Sequence, residues 1–89
     1  MTDLADIQTQ LLAFVRQRRD GGGALDAQTD LILAGWLDSL LLVDLVLYVE
    51  QAFGVVFGLG DVTPANFRTV AGLAEQVRRH LASQLRKAA

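Results

Sequence analysis

The chain has 89 residues, 52% of them apolar, a formal net charge of −2 and no cysteine. That length predicts one domain over residues 1–89, built on a single core, with little area left for a deep substrate cavity. The weak negative charge excludes nucleic acid as the main partner, and the lack of cysteine excludes disulfides and thiolate metal sites and makes the cytoplasm the default compartment.

Helical periodicity begins at once. Leu4, Ile7, Leu11, Phe14 and Val15 recur on one face and predict a first helix over 4–19. Thr2 or Asp3 can cap it, and Asp3 and Asp6 suit its positive end. So acidic and amphipathic a start does not read as a signal peptide. Asp20-Gly21-Gly22-Gly23 stops the helix. A structureless loop over 20–37 follows, long for so small a domain and of a kind that is often functional. Leu25, Leu31, Ile32 and Trp36 are expected to pin it to the core, Trp36 as a core plug.

A second helix is predicted over 39–53, with Asp38 as N-cap and Gly54 as the residue that ends it. Leu42, Leu45, Val46, Val49 and Phe53 make the expected buried stripe. Leu40, Leu41, Val43 and Leu47 then leave apolar surface elsewhere, which suits either a docking face or a helix buried on most sides. Asp38 and Asp44 each cost roughly 3 kcal/mol at a bilayer centre, so the apolar run 31–49 is not read as a membrane span.

Val55, Val56 and Phe57 lie between glycines with no partner strand in sight, and read as an extended loop on the core. Thr63-Pro64 predicts a short helix over 64–67. Thr69 caps a last helix with the stripe Val70, Leu73, Ala74, Val77, Leu81 and Leu85. The arginines group at Arg16, Arg18, Arg19 and at Arg78, Arg79, Arg86, near helix C-termini where cations suit the dipole. The expected fold is all-α, a small bundle of three longer helices and one short one.

Ser39 stands out chemically. It lies where a glycine-bearing loop turns into the apolar second helix. A helix start offers unpaired N–H groups and the positive end of the dipole, so a phosphate attached there would be stabilised. Hydrolase chemistry fits less well. The surroundings of Ser39 are not a Gly-x-Ser-x-Gly elbow, and His80, the only histidine, sits beside Arg78 and Arg79, which disfavour proton uptake. Asp38 and Ser39 are adjacent, and adjacent helical residues do not face each other. One histidine with scattered carboxylates makes no metal motif, and no Gly-Lys-Ser/Thr phosphate cradle is present. Ser39 therefore reads as an attachment point, not a catalytic centre, and the protein as no enzyme.

Leu37-Asp38-Ser39-Leu40 resembles the phosphopantetheine attachment motif of acyl and peptidyl carrier proteins. The similarity extends upstream through Asp30-Leu31-Ile32-Leu33-Ala34-Gly35-Trp36. Downstream it runs through Val43-Asp44-Leu45-Val46, Glu50-Gln51-Ala52-Phe53-Gly54-Val55 and 61–70, nearly the whole chain. The resemblance implies a small four-helix bundle of carrier-protein type. It implies 4′-phosphopantetheine, derived from coenzyme A, on Ser39, with Asp38 as the motif acid. The arm would carry acyl or aminoacyl groups as thioesters, its thiol supplying what this cysteine-free chain lacks. It implies a phosphopantetheinyl transferase, an acyl- or aminoacyl-loading ligase and a downstream acyltransferase or synthase as partners of a monomer. Asp44, Leu47, Glu50 and Gln51 fall where such enzymes would read the second helix.

Carriers of fatty-acid synthesis are typically strongly acidic along that helix, whereas Leu41, Leu42 and Gln51 dilute the acidity here. The departure points to a stand-alone carrier of a specialised pathway handling polyketide, nonribosomal-peptide or aminoacyl units. A fatty-acid-synthesis carrier and a non-covalent helical interaction module are the alternatives.

Overall fold

The computed structural model describes residues 3–18 and 25–88. They form three α-helices, α1 over Leu4–Arg18, α2 over Ser39–Phe53 and α3 over Val70–Ala88, with one 3₁₀ turn over Leu59–Asp61. The expected stop over 20–23, Arg19 and Thr2 lie outside the described residues, as does the side chain of Leu85. No strand forms among the described residues. Val55 is buried and Val56 exposed along an extended segment, as the glycine-flanked sequence suggests.

Asp3 caps α1 by accepting the Asp6 N–H at 2.9 Å. The helix buries Ile7, Leu11, Phe14 and Val15. Thr69 caps α3 by accepting the Gly72 N–H at 3.0 Å, and Val70, Leu73, Ala74 and Val77 face inward. α1 and α3 form the most extensive pairing, and α2 packs across both. Burying a large apolar side chain contributes about 1.5–3 kcal/mol. A cap contributes about 1 kcal/mol. The core therefore decides that the helices form, and the caps decide where they begin.

The buried stripe of α2 is Leu41, Leu45 and Val49, with Leu42, Val46 and Phe53 half-buried beside it. Leu41, expected to face away from the core, is its first anchor. The helix meets the core one position round from the predicted stripe, and half-buried flanks accommodate the rest. Tyr48 also turns inward, stacking on Phe14 with ring centroids 4.3 Å apart.

The segment from 25 to 38 is not structureless. Asp26 and Thr29 bond reciprocally, with the Asp26 N–H donating to Thr29 Oγ1 at 3.0 Å and the Thr29 hydroxyl donating to Asp26 Oδ1 at 3.2 Å, while Asp26 Oδ1 also accepts the Gln28 N–H at 2.8 Å. Asp30 Oδ1 accepts from the Ile32 and Leu33 amides and starts a turn over 31–35. Gly35, at φ +79°, ends that turn. Its N–H donates to Ile32 O at 3.2 Å, and the Trp36 N–H donates to Leu31 O at 2.9 Å. This bond pair closes a helical turn around a left-handed glycine and brings the flanking apolar side chains together. Leu31 and Trp36 are both buried, as is Leu25. Ile32 is not; it is 37% exposed, because the turn faces it away from the core. Two backbone bonds fasten the segment to the start of α3, Leu31 N–H to Arg68 O at 2.7 Å and Ala71 N–H to Ala27 O at 2.8 Å.

Residues 64–67 form a turn where a short fourth helix is expected. The Asn66 and Phe67 amides both donate to Thr63 O, which is the start of a helix that does not propagate. Phe67 is buried beneath this turn.

His80 ties the α2–α3 connection to α3. Its Nδ1 lies 2.9 Å from Gln76 O, its Nε2 3.2 Å from Asp61 Oδ2, and its ring meets Phe57 edge-on. Asp61 Oδ2 also accepts the Gly58 N–H at 2.8 Å. The Gly58 N–H foremost, and His80 after it, hold the Asp61 carboxyl below the usual carboxylate range.

Two outcomes follow from these devices. Gly35→Ala should destabilise the chain by about 1–2 kcal/mol in urea unfolding, the cost of a left-handed backbone carrying a Cβ. A Cβ there meets nothing within 4 Å, so the cost is conformational and Gly35→Asn should recover part of it. The second concerns acid. A carboxyl depressed in the folded state stabilises it above the unfolded pKa, and that contribution is lost as pH falls through the folded value. Asp61→Asn should therefore weaken the chain at neutral pH, and the gap to wild type should close below about pH 4. A gap that stays constant down to acid pH would show that the Asp61 charge contributes nothing.

Candidate functional site

Ser39 is the first residue of α2 and is exposed. The residue before it sets its position. Asp38 has extended backbone, φ −126° and ψ −176°, and its Oδ1 accepts the Leu41 N–H at 2.9 Å. Its carbonyl takes the Leu42 N–H at 2.9 Å. The Ser39 and Leu40 amides are thus left at the helix start, and neither donates to another described residue. These amides carry the positive end of the dipole at the helix start that also bears the serine hydroxyl.

No described hydrogen bond brings a base to that hydroxyl. His80 spends both ring nitrogens on Gln76 and Asp61. Among the described residues no cluster of His, Asp and Glu could hold a metal ion. No described helix is long and apolar enough to cross a membrane.

The outward face of α2 is apolar next to the serine. Leu40, Val43 and Leu47 are 78%, 56% and 51% exposed, at spacings that share one side of the helix. Leu33, on the turn before α2, is 85% exposed. Of the positions expected to meet partners, Asp44 and Glu50 are half-buried, and Leu47 and Gln51 are exposed. Glu50 is already engaged, its Oε2 accepting the Phe57 N–H at 3.2 Å. The first turn of α2 carries no acidic residue.

A cavity of about 250 Å³, open to solvent, lies between the end of α1 and the start of α2. Arg18, Asp38, Leu40, Leu41 and Asp44 line it. The residues on either side of Ser39 in the chain are thus both part of its wall. Arg18 is held there by Phe14, with the guanidinium carbon 5.0 Å from the ring centroid. Sequence reading assigns Arg18 to the helix dipole and gives Leu33 no role. A guanidinium at a helix end carries no signal of a cavity beyond it, and exposure of a loop leucine follows from turn geometry that local pattern does not show.

An exposed hydroxyl with two unspent amides at the same helix start suits an anionic group held covalently at Ser39. The comparisons with known proteins agree with that chemistry. The family model described as "Phosphopantetheine attachment site" matches residues 18–77. The chain is 36% identical over 66 residues, 74% of its length, to the probable acyl carrier protein PigG of Serratia sp. (strain ATCC 39006), 72% of which is covered. The chain belongs to the phosphopantetheine-attachment family of carrier proteins, whose members carry acyl groups on covalently bound 4′-phosphopantetheine.

Proposed function

We propose that Ser39 is the residue that takes the arm, and that the chain is a single carrier domain of a specialised biosynthetic pathway. The observation that carries this reading is Ser39 itself, exposed at the first position of α2 within the family match, with the Ser39 and Leu40 amides unspent beside it. When bound, the group supplies the thiol that this cysteine-free chain lacks, so acyl or aminoacyl cargo is held as a thioester.

The chain's own residues do three things. Asp38 fixes the start of α2, so that the Ser39 hydroxyl is presented to a phosphopantetheinyl transferase. That hydroxyl forms a new P–O bond as the phosphoanhydride of coenzyme A breaks, releasing the nucleotide and passing its proton to the transferase. The free amides then face the phosphodiester. The turn over 64–67 stands where the short helix of a four-helix carrier bundle would lie.

Partner enzymes would read α2 through Asp44, Leu47, Glu50 and Gln51, with Leu40 and Val43 adding apolar area. Glu50 is partly committed to Phe57, and exposed leucine and valine dominate the face. Such a face favours partners with an apolar recess over those with a basic patch. This supports a specialised pathway, in the cytoplasm, over fatty-acid synthesis. PigG, the relative described above, is itself a probable acyl carrier protein.

The test is intact mass after incubation with coenzyme A, magnesium and a broad-specificity phosphopantetheinyl transferase. One phosphopantetheine should be added to wild type and none to Ser39→Ala, which should keep its unfolding midpoint. Equal addition to Ser39→Ala would move the attachment site elsewhere. Docking generates a second outcome. Leu47→Asp should raise the KM of the transferase for this carrier without altering its fold, and the wild-type KM should change little between about 0.05 and 0.5 M salt, since apolar contacts are not screened. A KM that rises steeply with salt would show instead that charge pairing governs recognition.

A further inference from the structure

His80 stands midway along α3 and meets an acceptor at each ring nitrogen. Nδ1 lies 2.9 Å from Gln76 O, one turn back on the same helix, and Nε2 lies 3.2 Å from Asp61 Oδ2 on the 3₁₀ turn. A backbone carbonyl only accepts. Asp61 is also an acceptor, because the Gly58 N–H foremost, and His80 after it, favour its ionised form. A neutral imidazole carries one N–H and one lone pair, so it satisfies one of these contacts and sets a lone pair against an oxygen at the other. The imidazolium carries two N–H donors and satisfies both.

The charges around the ring permit that cation. On α3 itself Arg78 and Arg79 precede it, and both guanidiniums pair with Glu75. The connection between α2 and α3 supplies Asp61. From α2, Glu50 reaches the same connection, accepting the N–H of Phe57, whose ring meets His80 edge-on with centroids 5.0 Å apart. α1 gives His80 no ion pair among the described residues. At the start of the connection Gln84 Nε2 donates to Gly54 O at 2.9 Å. That amide contact does not titrate; the contact between His80 and Asp61 does.

We infer that His80 is a proton-dependent latch, fastening the α2–α3 connection to α3 as the imidazolium and loosening it when the proton is lost. Gln76 O is fixed in the α3 backbone, so the conflict in a neutral ring falls on Asp61 and the turn that carries it. The bound proton favours the fastened state, so this contribution is present on the acid side of the His80 titration and is lost as pH rises through it. Strong acid removes it from the other side, by protonating Asp61. Both side chains are partly exposed, 23% for His80 and 35% for Asp61, so the latch tightens the connection without deciding the fold. Its consequence lies at the far end of α2, where Glu50 is held by the same segment. None of this depends on what Ser39 carries.

The experiment uses the full chain, whose single histidine makes every imidazole signal that of His80. Long-range ¹H–¹⁵N correlation from about pH 5 to about pH 9 reads both ring nitrogens through the titration. Both should carry protons at the acid end. As the proton is lost, the amide signals of Phe57 and Gly58 should move along the same curve as the ring. Their exchange protection, corrected for the intrinsic rate, should fall over that range while Leu11 and Val49 keep theirs. His80→Gln, whose side chain does not titrate, should keep the helices and abolish the movement. Phe57 and Gly58 amides that ignore the ring titration would overturn the inference, as would a ring that holds a single proton throughout while the connection stays protected. The same movement persisting in His80→Gln would assign it to another group and overturn the latch equally. Each of these readings is made on wild type or on a variant checked for its helical signals, so loss of the fold is not mistaken for release of the connection.

Discussion

The position of Ser39 depends on how the preceding turn is closed. The Trp36 N–H donates to Leu31 O at 2.9 Å across Gly35, and both flanking side chains are buried. That closure leaves two residues, Leu37 and Asp38, between an anchored tryptophan and the first turn of α2. The Asp38 cap then begins α2 at Ser39. The turn is itself fastened to the start of α3 through Arg68 O. A hydroxyl with no hydrogen bond among the described residues is thereby positioned through the backbone of the turn before it and the helix it begins, while staying exposed.

α2 serves two demands that usually conflict. It must bury enough apolar surface to belong to a small core, and it must keep apolar surface outside for others to meet. The sequence meets both by being apolar nearly all round. Leu41, Leu45 and Val49 go inward, and Leu40, Val43 and Leu47 stay in water. Exposed leucine and valine so close together are disfavoured on a free monomer, and a patch of this kind marks a surface meant to be covered. The covering is transient for a carrier, so the patch must be small enough to tolerate between encounters. One helical face of three residues meets that condition.

Much of this was legible in the chain, for definable reasons. The limits of α2 match the prediction because Asp38 and Gly54 are local signals, a side-chain cap and a left-handed glycine, that need no tertiary information. The stripes of α1 and α3 were legible because each helix buries one face. α2 was misread at Leu41 because a nearly continuous apolar run has no period to follow. The loop was read as structureless because Asp26, Asp30 and Gly35 look like ordinary polar loop residues until their bonds to neighbouring amides are seen. Ser39 stood out on chemistry and resemblance together. Arg18 did not, since the cavity it lines forms only where the end of α1 packs beside the start of α2.

The bond between Glu50 and the Phe57 amide has a bearing on how recognition is divided along α2. Phe57 is also in edge contact with Phe67 and His80, so its backbone sits at a junction of α2, the connecting segment and α3. An enzyme that drew the Glu50 carboxylate toward itself would strip an acceptor from a half-buried N–H, at a cost of about 1–3 kcal/mol before any contact was gained. Gln51, one residue on and fully outward, imposes no such toll. The far end of the helix thus has a rigid post and a free handle side by side, and selection of new enzymes for this carrier would run through the handle.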